Sequence, residues 1–175
     1  YIAGIDNALV EIDNEEVPIM DGSSKDFLQI FESIDKVDQS KKRKYLKILK
    51  KVELIDGKRK ISIEPNNQNS LEVDFQLQYT NRIIGNQKNI INFQNDNLEE
   101  VICSRTFCLF EDIEKIKKIG LAKGGSLENA VVVDDDRVLN DGGLRNDKEF
   151  VNHKILDLAG DFLLSGHRVI GKIVC

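Results

Sequence analysis

Histidine and cysteine, which supply much of the metal and nucleophilic chemistry of proteins, are scarce in this sequence. Only two histidines occur in 175 residues, His153 and His167, so any histidine chemistry must use one of them. The three cysteines, Cys103, Cys108 and Cys175, are an odd number, and no two of them have the Cys-x-x-Cys spacing. This argues against a disulfide framework or a four-cysteine zinc site and predicts reduced thiols in a cytosol.

Long apolar runs are also missing. No stretch approaches the ~18–20 apolar residues that a membrane-spanning helix needs. Residues 1–7 (YIAGIDN) have neither an initiator methionine nor the basic and then apolar pattern of a signal peptide. We therefore expect no transmembrane segment, a cytoplasmic location and a chain that lacks both ends of its protein. The formal charge of -5, from 25 basic and 30 acidic residues, argues against a general nucleic-acid binder.

Positive charge is concentrated in one segment. Residues 41–60 (KKRKYLKILKKVELIDGKRK) hold ten of the 25 lysines and arginines. Apolar residues at 46, 48, 52 and 54 alternate there with polar ones, which is typical of a strand with one solvated face. That interpretation is favoured, because charge runs usually cover exposed surfaces. An anion-binding site is the alternative, since the basic residues cluster where the chain passes between elements.

The apolar periodicity predicts an α+β fold, in which strand-rich segments are followed by helices on both sides of residue 40. Residues 37–40 (VDQS) are the predicted linker, because the composition changes there from helix-like to basic and strand-like. Asp56-Gly57 is a strong hairpin signal. The predicted elements are a hairpin over 5–19, helices over 24–37, 96–104, 111–119 and 146–164, and strands over 44–55, 58–64, 71–79, 88–93, 106–110, 131–133 and 168–174.

The predicted helix over 146–164 carries the one group of side chains suited to a metal. His153 and Asp157 are four residues apart on one face, so both can reach one zinc ion through bonds of ~2.0–2.2 Å. Asp161, one turn further, suits an orienting role better. His167 lies beyond the helix and is a poor third ligand. By spacing alone an ordinary ion pair or hydrogen bond is commoner, and both explanations stay open.

A series of short segments carries more information than any single spacing. Near the start are residues 4–7 (GIDN) and 17–23 (VPIMDGS). Further along are 105–107 (RTF), 120–126 (GLAKGGS), 132–135 (VVDD), 137–140 (RVLN), 143–145 (GLR) and 149–161 (EFVNHKILDLAGD). In this order they resemble the UDP-3-O-acyl-N-acetylglucosamine deacetylases, zinc-dependent enzymes of lipid A biosynthesis. The resemblance spans nearly the whole chain.

The resemblance implies two small domains packed together, each a sheet with two helices, and an active site between them. Residues 1–40 would be the C-terminal part of the first domain. Residues 41–175 would be the second, truncated at its C-terminal end, with an insert over 108–133 that forms a passage for the acyl chain. It also implies a monomer that binds Zn²⁺ and hydrolyses the N-acetyl group of UDP-3-O-acyl-N-acetylglucosamine to the free amine and acetate.

The resemblance also implies roles for individual residues. His153 and Asp157 match two of the family's three zinc ligands. Thr106 matches the residue whose hydroxyl binds the oxyanion of the tetrahedral intermediate, and Asp161 matches the carboxylate that orients the catalytic histidine. The implied substrate-binding residues are Phe107 and Lys154 at the sugar-nucleotide end, Arg59 at the nucleotide phosphate, and Leu109, Ile113, Ala122, Gly125, Leu127 and Val132 along the acyl passage.

Two motifs of the family have no counterpart in these residues. The Glu-His pair that holds the general base and the first zinc-binding histidine would precede residue 4, and the Lys-Ser-Gly-His segment with the other catalytic histidine would follow residue 175. We therefore expect the 175 residues alone to be an inactive fragment. Residues 108–111 (CLFE) also depart from the commoner glycine, aromatic and basic run. The alternative functions are a non-catalytic module that binds a sugar nucleotide or an acyl chain without metal, and a structural α+β domain.

Overall fold

The α+β fold class is confirmed by the computed structural model, which describes residues 1–120 and 122–175. Leu121, part of the predicted insert, lies outside the described residues. None of the described helices is both long and apolar enough to cross a membrane. The elements are α1 (Lys25–Ser33), β1 (Tyr45–Lys47), β2 (Val52–Asp56), β3 (Arg59–Glu64), β4 (Leu71–Gln78), β5 (Asn86–Asn92), α2 (Glu99–Cys103), β6 (Phe107–Leu109), α3 (Phe110–Lys118), β7 (Val131–Asp134), β8 (Arg137–Val138), α4 (Glu149–Leu163) and β9 (Arg168–Val174).

The larger sheet is organised around β9, which pairs with three other strands. The strand order is β2-β3-β9-β4-β5, and β1 pairs separately with the beginning of β9. That first pairing is parallel and sets Tyr45 opposite Arg168. Further along, Ile173 lies between Ile63 of antiparallel β3 and Val73 of parallel β4. Side chains of a strand point alternately to the two faces of the sheet, and those of β9 that face the core, Val169 and Ile173, are buried.

The core forms where α4 contacts β4, β5 and β9, with α2 beside α4. Phe150, Val151 and Ile155 of α4 are fully buried against a cluster that includes Leu71 and Val73. Apolar residues at helical spacing on α4 and at period two on β4 thus meet face to face. Burying each side chain of this size contributes about 1.5–3 kcal/mol, so this contact fixes the orientation of α4 on the sheet.

A second, three-stranded sheet joins the two ends of the predicted insert. β6 runs parallel to β7, and β8 is antiparallel to β7. Val131 and Val133 belong to the core cluster, whereas Val132, between them, is buried outside that cluster. The two ends of the predicted insert over 108–133 therefore lie at the core, because Val131 and Val133 belong to the cluster and Leu109 packs against it. In contrast, α3 has no buried residue.

The predicted hairpin over 5–19 is wrong. No strand occurs among these residues, and Leu9 is 89% exposed. Val10 and Val17 are exposed as well. Apolar residues on either side of turn residues predict a hairpin only where a sheet face covers them, and an isolated two-stranded hairpin is marginally stable in water. Here no strand of the described chain pairs with the segment.

Two other elements differ from the prediction. The single strand expected over 44–55 is divided into β1 and β2, because β1 pairs with β9 and β2 with β3, so the chain must change partners between them. The helix expected over 24–37 ends at Ser33. The Asp56-Gly57 hairpin is confirmed, with Asp56 opposite Arg59. β1 and β2 are exposed on both faces, so the apolar residues at 46, 52 and 54 are exposed together with the basic ones, which differs from the single solvated face that the alternation predicts.

Residues 21–24 are joined by hydrogen bonds to α2 and to the loop between α2 and β6. The Thr106 N–H donates to the Gly22 carbonyl at 2.8 Å, and the Ser24 N–H donates to the Ile102 carbonyl at 3.1 Å. Gly22 has φ +83°, and a Cβ built on it would lie 1.8 Å from the carbonyl oxygen of Asn129. Only glycine fits there, so the position of Thr106 depends on the absence of a side chain at residue 22.

We expect Gly22→Ala to destabilise the protein more than Gly142→Ala. Gly142 has a similar φ, +81°, but an added Cβ would meet nothing within 4 Å. The control variant should therefore lose only the free energy of placing alanine in a left-handed backbone conformation, about 1–2 kcal/mol. Gly22→Ala must in addition displace Asn129. Urea unfolding of both variants measures the difference in free energy. Equal losses would show that the close approach of Asn129 does not constrain residue 22.

Candidate functional site

His153 and Asp157 meet on one face of α4, as their spacing predicts. The Nε2 atom of His153 lies 3.3 Å from Oδ1 of Asp157. His153 is 8% exposed, while the side chain of Asp157 is 43% exposed. The pair thus lies at the boundary between the core and solvent. Asp161 is one turn further along and exposed, and its side chain makes no hydrogen bond or ion pair with the part of the chain that the structure describes.

The other ring nitrogen of His153 is held by the protein backbone. Nδ1 lies 3.0 Å from the carbonyl oxygen of Ser104, a fully buried residue. A carbonyl oxygen can only accept, so Nδ1 carries the hydrogen, and in the neutral ring the Nε2 lone pair faces Asp157. This arrangement is typical of metal-binding histidines. One imidazole nitrogen and one carboxylate oxygen fit zinc as two of its ligands.

A third ligand is not found. Within residues 1–120 and 122–175, no group of three or more His, Cys, Asp or Glu side chains is arranged to hold a metal ion. The geometry around His153 and Asp157 therefore fits two donors of a metal site when the ring is neutral, or an ordinary ion pair in which the Nε2–H of a protonated ring donates to Asp157. The sequence leaves the same two explanations open.

Phe107 and Lys154 extend this surface. The Phe107 ring packs edge-on against Phe150, with centroids 4.9 Å apart. The Nζ of Lys154 lies 5.5 Å from the centroid of the Phe107 ring and 3.0 Å from Oδ2 of Asp157. Lys154 therefore joins an aromatic face to the carboxylate that also approaches His153. A cation over an exposed ring contributes about 0.5–1 kcal/mol, enough to favour this side-chain arrangement.

Thr106 is held by hydrogen bonds on both sides of its backbone. Its N–H donates to the Gly22 carbonyl at 2.8 Å, and its carbonyl accepts from the Val131 N–H at 2.7 Å. It lies two residues after Ser104, which contacts His153, and immediately before Phe107, which contacts Lys154. The half-buried Thr106 hydroxyl makes no hydrogen bond within the described residues, so it is free to donate to a ligand.

A buried ion pair that the sequence did not predict lies directly behind these residues. Glu149, the first residue of α4, is fully buried, and Arg105 is 7% exposed. Arg105 donates to Glu149 from Nε at 2.8 Å, from Nη2 at 3.2 Å and from its backbone N–H at 3.0 Å. Glu149 also accepts the Arg145 N–H at 2.7 Å. A pattern search could flag a Glu at a helix start, but not a partner 44 residues away.

The same loop is tied to the beginning of the chain through Arg145. Its Nη1 donates to Oδ2 of Asp21 at 2.7 Å and to the Cys103 carbonyl at 3.0 Å. Partial burial of Asp21 opposes ionisation, but hydrogen bonds from Ser23 and the contact with Arg145 outweigh it. The net result is a pKa for Asp21 below its usual value.

The residues assigned to an acyl passage lie in different environments. Leu109 packs on the core cluster, and Val132 is buried. Ile113, on α3, is half-buried. Ala122 and Gly125 are exposed and belong to one turn, in which the Gly125 N–H donates to the Ala122 carbonyl at 3.0 Å. Leu127 is 45% exposed.

Asn140 holds the end of that loop in place. Its buried side-chain amide donates to the carbonyls of Leu127 and Ala130 at 2.6 and 2.7 Å and accepts the Val132 N–H at 2.8 Å. Arg59 is exposed on the β2–β3 hairpin. No hydrogen bond or ion pair among the described residues joins Arg59 to the group around His153.

The fold and this group of side chains define a class, an α+β protein in which one helix presents a His-Asp pair beside a loop threonine and a lysine-covered phenylalanine. The family model for UDP-3-O-acyl N-acetylglycosamine deacetylase matches residues 1–175. The chain therefore belongs to that family.

Curated relatives agree with the family model. The chain is 44% identical over 173 residues to the UDP-3-O-acyl-N-acetylglucosamine deacetylase of Nautilia profundicola, covering 98% of this chain and 58% of the relative. It is 41% identical over 172 residues to the deacetylase of Phenylobacterium zucineum, covering 97% and 57%. For the deacetylase of Campylobacter fetus the identity is 39% over 169 residues, covering 96% and 57%. The chain thus spans a little over half the length of these relatives.

We expect Asp21→Asn to lower the free energy of unfolding by about 1–2 kcal/mol at neutral pH, since hydrogen bonds to a charged carboxylate are lost. A carboxyl whose pKa is lowered on folding stabilises the protein above its unfolded pKa, ~3.9 for Asp, and loses that contribution as pH falls through the folded value. The difference between variant and wild type should therefore shrink below about pH 4. Urea unfolding across pH measures it, with exposed Asp13→Asn as the control; a difference independent of pH would contradict the assignment.

Proposed function

We propose that the protein is a zinc-dependent hydrolase that removes the N-acetyl group of UDP-3-O-acyl-N-acetylglucosamine, giving the free amine and acetate, in lipid A biosynthesis. The observation that carries the proposal is the orientation of His153. Its Nδ1 is engaged by the Ser104 carbonyl and its Nε2 faces Asp157, in a chain that belongs to the deacetylase family. We propose a monomer in the cytoplasm.

The proposed metal donors are Nε2 of His153 and a carboxylate oxygen of Asp157. Zinc, when bound, supplies a Lewis acid that lowers the pKa of water into the neutral range. The protein's part is to orient the ring with its hydrogen on Nδ1 and with Nε2 toward Asp157, which the Ser104 carbonyl supports. Lys154 shares the carboxylate of Asp157 through Oδ2, which leaves Oδ1 directed toward His153.

Thr106 is the proposed donor to the oxyanion that forms when water adds to the acetamide carbonyl. Its backbone is fixed on both sides, so the point from which its side chain projects is set before the reaction begins. Loss of one such donor typically costs about 10²–10³ in kcat. Asp161 is the proposed acceptor for the N–H of a catalytic histidine, since its exposed carboxylate has no partner within the described residues. The resemblance assigns that histidine, the general base and the third zinc ligand to segments outside residues 1–175.

The half-buried aromatic and basic surface beside the pair is the proposed sugar-nucleotide site. Phe107 offers a ring and Lys154 a cation for the sugar nucleotide, and Arg59 is the proposed phosphate contact. Binding of the acyl chain requires an apolar wall, because burying each methylene group against it contributes about 0.8 kcal/mol of favourable free energy. The proposed wall residues are Leu109, Ile113, Ala122, Gly125, Leu127 and Val132.

In the complete protein, His153→Ala and Asp157→Ala should each abolish zinc-dependent deacetylation, because each removes a direct metal ligand. Asp161→Ala should lower turnover about 10–100-fold and spare most of the zinc affinity, because it acts on a neighbouring group. His167→Ala is the matched control and should change neither quantity. The measurements are zinc content and acetate release. Substrate binding without metal and without acetate release would favour the non-catalytic binding module instead.

Residues 1–175 by themselves should bind zinc weakly and release no acetate, because two donors hold the ion poorly and no base is available. Calorimetric titration with zinc and an acetate assay on the same sample test both points. Tight one-to-one binding that is lost in His167→Ala would show that His167 is the third ligand and that our assignment of it is mistaken.

A further inference from the structure

One peptide group lies between the carboxylate of Glu149 and the imidazole of His153. The peptide that joins Ser104 to Arg105 donates its N–H to Oε1 of Glu149 at 3.0 Å. The carbonyl of the same peptide accepts from Nδ1 of His153 at 3.0 Å. A trans peptide is planar, with its N–H and C=O pointing in opposite directions, so fixing one end fixes the other.

The carboxylate of Glu149 is held rigidly. Four hydrogen bonds converge on its two oxygens, three from Arg105 and one from the Arg145 N–H. An ionised carboxylate has about four acceptor positions, so its capacity is filled. Glu149 and His153 are both buried and are separated by one turn of α4. The helix thus supplies both ends of the chain of hydrogen bonds, and the loop supplies the peptide between them.

We propose that Glu149 is a positioning residue that acts on His153 through the Ser104–Arg105 peptide. A carboxylate that accepts the peptide N–H polarises the peptide and strengthens its carbonyl as an acceptor. The strengthened carbonyl holds the hydrogen on Nδ1, and the Nε2 lone pair is directed toward Asp157. In many metal sites a carboxylate contacts the histidine directly; here a peptide group transmits the same effect. The catalytic consequence rests on the proposed function, but the effect on the ring does not.

Arg105 has a different role in this arrangement. Its guanidinium neutralises the buried carboxylate and also donates from Nη2 to the Gly143 carbonyl at 2.8 Å. Because Arg105 directly precedes Thr106, holding the Arg105 backbone in place also sets the backbone position of Thr106. If the pair served only to hold the loop, a change at Glu149 would alter stability and leave the His153 tautomer unchanged. The tautomer therefore distinguishes the two explanations.

The test is long-range ¹H–¹⁵N NMR of the imidazole rings in the ¹⁵N-labelled 175-residue chain, under mildly alkaline conditions. The chain has two histidines, so a His167→Gln spectrum assigns both rings. We expect wild-type His153 to carry its hydrogen on Nδ1 alone. Glu149→Gln should give a mixture of tautomers, because the neutral amide polarises the peptide less than a carboxylate does. The Arg105 and Arg145 N–H groups also contact different oxygens of Glu149, and the amide keeps an oxygen at only one of these positions. In the complete protein the same variant should weaken zinc binding about 10–100-fold.

Two control variants separate positioning from folding. Arg105→Lys keeps a positive charge and the peptide N–H, so it should lower stability and retain the Nδ1–H tautomer. Asp147→Asn changes an exposed carboxylate two residues before Glu149 and should alter neither the tautomer nor zinc affinity. Circular dichroism establishes that each variant is folded.

Two results would overturn the proposal. One is a folded Glu149→Gln variant that keeps the Nδ1–H tautomer. The other is a wild-type spectrum with the hydrogen on Nε2 or shared between the two nitrogens, and this result requires no variant to fold. Failure of the proposed function would look different, since a complete protein that releases no acetate leaves the tautomer result intact.

Discussion

The position of Thr106, the candidate site residue on the loop before β6, depends on the buried ion pair between Arg105 and Glu149. Burying two charges is costly, and removing one member of such a pair usually destabilises a protein by about 3–5 kcal/mol. The cost is offset here because Glu149 accepts four hydrogen bonds and Arg105 also reaches the Gly143 carbonyl. The same residues that satisfy the pair hold the loop against the first turn of α4.

Three distant parts of the chain meet at this loop. The turn at residues 21–24 accepts the Thr106 N–H through Gly22, α4 provides His153 and Asp157, and β7 donates the Val131 N–H to the Thr106 carbonyl. Each contact constrains the backbone rather than the hydroxyl. The loop is therefore rigid while the Thr106 side chain stays available, which suits the proposed role of Thr106 as a donor to a transient charge.

The His-Asp pair has one side buried in the protein and one side exposed to solvent. His153 is buried against the backbone of Ser104, while the carboxylate of Asp157 and the cation of Lys154 reach solvent. A ligand can thus approach from solvent a histidine whose orientation is already set from behind. Residues 108–133 also have a buried part and an exposed part. Leu109 at one end packs on the core, and Val131 and Val133 at the other end belong to it, whereas α3 between these ends has no buried residue.

The sequence by itself determined the family, the α+β class, the helix that carries His153 and Asp157, and the Asp56-Gly57 hairpin, because periodicity, turn chemistry and motif order are local properties. It predicted a hairpin over 5–19 wrongly, since apolar residues around a turn do not show whether a covering sheet exists. Only the tertiary structure decided that Glu149 meets Arg105, that β9 takes three partners, and that Gly22 must lack a side chain. These features depend on contacts between residues far apart in the chain, which packing selects and no local pattern encodes.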